Sequence, residues 1–225
     1  MIFVDRQFRL ARHWSNRQLR KIASQFVGDV VNVSAWDDRD KEGHHYKEYF
    51  ANASSYSYTN HAGYRGFQSL PNEHRLDLTG EVPEELKRRF DVVFNHTTLE
   101  HIFDVRKAFA ALCELSKDVV IVVVPFAQTQ HESVDWKDYW RFTPTCLREL
   151  YEENGLSVVY EAASSFRNSA VYVLSVASRH PHFWEGRLPV CQRIYGAGSW
   201  IGSSLLLSLW RRFLQVVRRR TDDGG

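Results

Sequence analysis

Two histidines in polar segments are the first candidates for chemistry: His101, in Leu99-Glu100-His101, and His131, followed by Glu132 and Asp135. A neutral imidazole accepts a proton from a hydroxyl near neutral pH. His131 is the preferred general base, with Asp135 or Asp138 to orient it, and His101 is the second. The competing readings are a backbone-bonded imidazole for His101 and a solvated loop for His131. Downstream stands Asp138-Tyr139-Trp140-Arg141. Arg141 either clamps a carboxylate or phosphate of an acceptor or pairs internally with Asp138. Trp136, Tyr139 and Trp140 interleave with charges; such faces suit a sugar ring, and equally plain loop packing. Asp138, Trp140 and Arg141 are therefore the candidate acceptor-binding residues.

A second group of polar residues stands at or near the ends of apolar, β-branched runs: Asn32 and Ser34, Asn60, Asp77, and the pair Asn95-His96. In an open α/β sheet, ligands bind outside the carboxyl ends of the strands. Each residue has a plainer reading as a cap, turn or loop side chain. Neither a Walker pattern nor a Ser-His-Asp order is present, so nucleotide triphosphatase and hydrolase chemistry are set aside. The 3 cysteines, Cys113, Cys146 and Cys191, form no C-x-x-C pair. No metal site and no disulfide framework are expected, and a reducing compartment is the natural setting.

These residues need elements to position them. Helical spacing predicts a helix over Asn16–Phe26, capped by Ser15, with Leu19, Ile22, Ala23 and Phe26 on its apolar face. Strands are expected at Asp29–Ser34, Tyr56–Thr59, Arg75–Leu78 and Phe90–Phe94. A helix is expected at Pro83–Arg88 and another at Val105–Leu115. Asp118–Val124 is a continuous apolar run, as in a strand buried on both faces, with Pro125 as its end. Thr143 as N-cap and Pro144 at the first position open a helix that Asn154-Gly155 stops. Leu156–Tyr160 and Ala170–Val176 close the pattern with a connection too short for a crossover helix, so they are expected to pair antiparallel. The fold class is α/β: a Rossmann-like, doubly wound, mostly parallel sheet closed by an antiparallel hairpin.

The segment Phe90–Phe109 with its Leu-Glu-His triplet, then Pro125, His131 and Asp138-Tyr139-Trp140-Arg141-Phe142-Thr143-Pro144, resembles the class I S-adenosylmethionine-dependent methyltransferases. Within them it is similar to a subgroup associated with bacterial polysaccharide and lipopolysaccharide clusters. The resemblance covers roughly residues 25–178. It implies S-adenosylmethionine as cofactor, held by Asn32, Ser34, Asn60, Asp77, Asn95 and His96. It implies O-methylation of a saccharide or glycolipid intermediate, or else an inactive methyltransferase-like scaffold in surface-polysaccharide assembly. The glycine-rich turn usual after the first strand is replaced by Asn32-Val33-Ser34-Ala35-Trp36-Asp37-Asp38, with no glycine before Gly43.

With a net charge of +2 over 225 residues, the chain lacks a nucleic-acid footprint. A methyltransferase-like domain is expected over residues 1–180, and a basic tail over 181–225. In that tail Leu205, Leu206, Leu209, Trp210, Phe213, Leu214 and Val217 fall at helical spacing beside Arg211, Arg212 and Arg218–Arg220. Such a C-terminal amphipathic helix, spanning 194–220, suits a membrane surface or a partner protein. The expected partners are a small-molecule or glycan acceptor; the expected place is the cytoplasm, peripheral to the membrane's inner face.

Overall fold

The computed structural model describes residues 10–63, 66–164 and 171–189. Among the described residues three helices, α1 (Leu10–Ala23), α2 (Val105–Leu115) and α3 (Pro144–Glu153), flank seven strands. The strands are β1 (Gly28–Val33), β2 (Ala53–Asn60), β3 (Glu73–Arg75), β4 (Phe90–His96), β5 (Ser116–Ala127), β6 (Ser157–Ala163) and β7 (Val171–Ser178). They form one sheet in the order β3-β2-β1-β4-β5-β7-β6. β1 to β5 pair parallel, while β7 runs antiparallel between β5 and β6. The expected doubly wound sheet and closing hairpin are both present.

The central strands are buried on both faces, which is why their sequences are apolar without alternation. Val30, Val92, Phe94, Val119, Ile121 and Val123 cluster with Leu19 and Ile22 of α1 and with Phe26 just after it. Their neighbours Val31, Val33, Val93, Val120, Val122 and Val124 face α2 and α3 with Phe109, Leu112 and Leu147. Each such side chain taken from water contributes about 1.5–3 kcal/mol. Helix α2 starts where Asp104 accepts from the Lys107 amide. In α3 the Thr143 hydroxyl accepts from the Cys146 amide, with Pro144 in the first turn.

Several expectations need correction. The first helix spans Leu10–Ala23, not Asn16–Phe26, and Ser15 lies inside it, its hydroxyl donating to the Arg12 carbonyl. Buried polar residues at its start hide the apolar period that a sequence reading follows. The third strand is Glu73–Arg75, ending where Arg75–Leu78 was expected to begin. Pro83–Arg88 contains one 3-10 turn, Glu84–Leu86, rather than a helix. Strand β5 runs through Pro125 to Ala127, with the ladder shifting register between them. Proline is tolerated there because an irregularity has already loosened the pairing.

Residues 181–188, past the expected boundary, pack on the sheet: Trp184 meets Phe26 with ring centroids 5.0 Å apart and donates to Asp118 at 3.2 Å. The expected helix over 194–220, Cys191 and most of the 181–225 tail lie outside the described residues.

Candidate functional site

The carboxyl ends of β1, β4 and β5 lie at one edge of the sheet, and three loops leave there. The strand order reverses at β1/β4, the place where open α/β sheets form a crevice. Backbone strain concentrates at this point. Ser34, Trp36 and Asp38 after β1, and Thr97 after β4, take φ of 58°, 53°, 58° and 52°. Each left-handed, non-glycine residue costs about 1–2 kcal/mol, and such strain collects at ligand sites.

The turn after β1 is held by its neighbours. The Trp36 amide donates to Asn60 Oδ1 at 2.7 Å, and Asn60 Nδ2 donates to the Trp36 carbonyl and to Glu73 at 2.7 Å. Asn60 therefore props the turn with both of its polar atoms. Asp38 is buried and accepts from Asn32 at 2.8 Å, from the Tyr56 hydroxyl at 2.6 Å and from the Lys47 amide. The next acid, Asp40, accepts from Tyr49, Arg20, Asn16 and two amides, which pins the loop to α1. Asp77 is exposed and accepts from the amide and hydroxyl of Thr79 within its own turn.

At the end of β4 the two expected residues diverge. Asn95 is fully buried; its amide nitrogen donates to the Val33 carbonyl at 2.9 Å, and its Oδ1 has no partner. His96 points to the opposite face. Arg12 donates to its Nδ1 at 2.8 Å, so its Nε2 carries the proton shared with Ser15, also at 2.8 Å. Burial and Arg12 push this imidazole well below its ordinary pKa. Both nitrogens of His96 thus anchor α1. No sequence signal marked Arg12 and Ser15 as its partners, which lie more than eighty residues away.

The loop after β5 folds back over the turn that follows β4. The Glu100 carbonyl accepts from the amides of Tyr139, at 2.8 Å, and Trp140, at 3.2 Å, and Trp140 Nε1 reaches the Ile102 carbonyl. Arg141 grips Asp138 with two hydrogen bonds, each 2.7 Å, and its other donors go to the carbonyls of Gln128, Thr129 and Trp140. The internal Asp138–Arg141 pair is thus present, and all five guanidinium donors are used within the loop. Burial alone would raise the Asp138 carboxyl, but Arg141 and the His131 amide outweigh it and hold it low. Asp138, not Asp135, lies beside His131, with Oδ2 at 3.2 Å from Nδ1.

These contacts bring His101 and His131 together, with ring centroids 5.0 Å apart and Trp136 packed on both. His101 Nδ1 meets the Lys137 carbonyl at 2.6 Å. A carbonyl only accepts, so the proton sits on Nδ1 and the Nε2 lone pair is free. Burial lowers the pKa of this imidazole. Beside it Glu100 is 1% exposed, its Oε1 3.8 Å from His101 Nε2 and its Oε2 without a partner. Burial raises this carboxyl to about 7. The exposed rings of Phe103, Tyr139 and Trp140 cluster beside the pair.

No protein-family profile and no curated protein match the sequence. Solved structures do match in shape. Magnesium protoporphyrin IX methyltransferase from Synechocystis, with bound S-adenosylmethionine, superposes with a TM-score of 0.54 at 14% identity, over 80% of this chain and 85% of that one. A Burkholderia thailandensis N1-methyltransferase of 1,6-didemethyltoxoflavin, with bound S-adenosylhomocysteine, gives 0.51 at 14% identity over 78% and 86%. A Haloferax volcanii putative methyltransferase, complexed with the activator Trm112, gives 0.52 at 11% identity over 78% and 92%. The chain has the fold of these methyltransferases.

Proposed function

We propose that this chain is an S-adenosylmethionine-dependent methyltransferase acting on an acceptor oxygen at the carboxyl ends of β1, β4 and β5. The observation that carries the reading is Asn95 Oδ1, a fully buried acceptor without a donor, next to strained backbone at the β1/β4 reversal. An unsatisfied buried acceptor costs about 1–3 kcal/mol, which a donor on a ligand recovers. Asn95 offers an unpaired acceptor beside the left-handed turn of Ser34 and Trp36, although its side chain is 0% exposed. At the end of β2 the fit to the cofactor is poorer, because Asn60 is committed to Trp36 and Glu73. When bound, S-adenosylmethionine supplies a methyl group on a sulfonium centre.

The residues of this chain have distinct tasks. Asn95 binds a donor of the ligand, and Asn32, through Asp38, keeps the turn in shape. His101, neutral and with Nε2 free, takes the acceptor proton; its fixed tautomer favours it over His131 as the base. Asp138 and Arg141 hold the loop that brings the base to the site. The rings of Trp140, Tyr139 and Phe103 offer flat faces for an acceptor of saccharide class, in keeping with the resemblance to polysaccharide-cluster enzymes. Contact of residues 194–220 with a membrane surface rests on their basic, apolar pattern alone. No helix among the described residues is long and apolar enough to cross a membrane.

A second reading, a methyltransferase-like binding protein without activity, is favoured by one observation: both Nδ2 hydrogens of Asn60 and one lone pair of its Oδ1 are already used, which leaves a ribose diol one acceptor lone pair where a carboxylate would offer more. Calorimetric titration with S-adenosylmethionine and S-adenosylhomocysteine separates the two. Micromolar binding that disappears in a folded Asn95→Ala variant supports the enzyme. Absence of heat and of thermal stabilisation at millimolar cofactor overturns it in favour of the second reading.

A further inference from the structure

We propose that Glu100, His101 and His131 form a binding site for one divalent transition-metal ion. One ligand atom from each lies within 4.8 Å of the other two. Bonds of about 2.1 Å to zinc require ligand spacings of roughly 3.0–3.6 Å, within reach of modest side-chain rotation. Two imidazoles and one carboxylate are the donor set of both catalytic zinc sites and facial-triad iron sites.

Three further features point to an ion. Glu100 is 1% exposed, yet its Oε2 meets no donor. A buried acceptor of that kind is costly unless something positive reaches it. His101 gives its Nδ1 proton to the Lys137 carbonyl, which presents Nε2 toward Glu100. This is the supporting bond that metal-bound histidines characteristically make. His131 Nδ1 is likewise buried without an aligned partner, with the Asp138 carboxylate 3.2 Å away.

Nearby charges partly cancel. Arg12 and Arg141 interact with Glu100 as cations, but Arg141 is neutralised by Asp138. Arg12 is directed to His96. Metal binding does not depend on methyl transfer. A bound ion would occupy the His101 Nε2 lone pair, so the metal-free form is the one in which that nitrogen takes the acceptor proton.

The test uses tag-free, chelator-stripped full-length protein titrated with zinc by calorimetry and with cobalt by visible absorption. One equivalent should bind, with ligand-field bands of a histidine-coordinated ion. Glu100→Gln and His131→Gln, each checked for an unchanged melting profile, should weaken binding by about 10-fold or more. No cobalt band, or wild-type affinity in both variants, overturns the proposal and assigns any heat to other histidines. If one variant fails to fold, the other decides. S-adenosylmethionine titrations on the same samples score the methyltransferase reading separately.

Discussion

Arg141→Ala tests whether the loop after β5 is held as the geometry implies. The substitution removes two 2.7 Å bonds to Asp138 and leaves a carboxylate whose side chain is 0% exposed without its cation. Breaking a fully buried pair costs about 3–5 kcal/mol. The Arg141 side chain is 26% exposed, so water recovers part of the loss and about 2–3 kcal/mol remains. For a domain of this size that corresponds to a fall in Tm of roughly 4–12 °C. Lysine at 141 keeps the charge but not the fork, and should restore about half. Because the loop can open without global unfolding, hydrogen exchange should be read at the amides of Tyr139 and Trp140, which donate to the Glu100 carbonyl. Their protection should collapse in Arg141→Ala while the β4 and β5 amides stay protected. An Arg141→Ala/Asp138→Asn cycle should show a coupling above about 1 kcal/mol. Unchanged Tm together with unchanged protection at Tyr139 and Trp140 would refute the reasoning.

Three other outcomes are expected. Ser15→Ala and Arg12→Met each remove a partner of His96 and should cost about 1–2 kcal/mol in chemical denaturation; freed of Arg12, His96 should also titrate at higher pH by NMR. Burial raises the Asp40 and Glu73 carboxyls, but Tyr49 and amides outweigh it at Asp40, and Asn60 and amides do so at Glu73, so both are held low. Their folded pKa values lie below the unfolded ones, so the stability they contribute is complete above the ordinary carboxylate range. It is lost as pH falls through the folded values, and Asp40→Asn should flatten the acid limb of a stability–pH curve. Burial pushes the Cys113 thiol up to about 12, whereas Cys146 is exposed; in a Cys191→Ser background a thiol reagent should modify one cysteine natively and the second only on unfolding.

Local rules settled much of this protein. Helices α2 and α3 lie where the sequence predicts them because each carries its own start signal: Asp104 and Thr143 cap them, and Pro144 fits a first turn. The apolar run around Asp118–Val124 told of a strand covered on both faces, and the short link before β7 told of an antiparallel return. Boundaries failed where the deciding partner is distant. Helix α1 extends back to Leu10, with Ser15 and Asn16 buried near its start: His96 receives Ser15, and Asp40 and Glu42 receive Asn16. Pro125 stays in a strand because β7 tolerates an irregular ladder opposite it.

The site divides the same way. The sequence marked Asn95 and His96 as polar side chains directly after an apolar run, where packing gives no reason for them, and His101, His131 and Asp138 as polar groups of a helix entrance and a loop. It did not distinguish Asn95, left with a free acceptor, from its neighbour His96, which turns to the other face because side chains alternate along a strand. Nor did it show that Asn60 props Trp36, or that Glu100 lies within 4.8 Å of two histidines thirty residues apart. Those facts depend on how the loop after β5 folds over the turn after β4. That is a matter of which carbonyls, carboxylates and guanidinium donors meet across the crevice, and only the tertiary structure decides it.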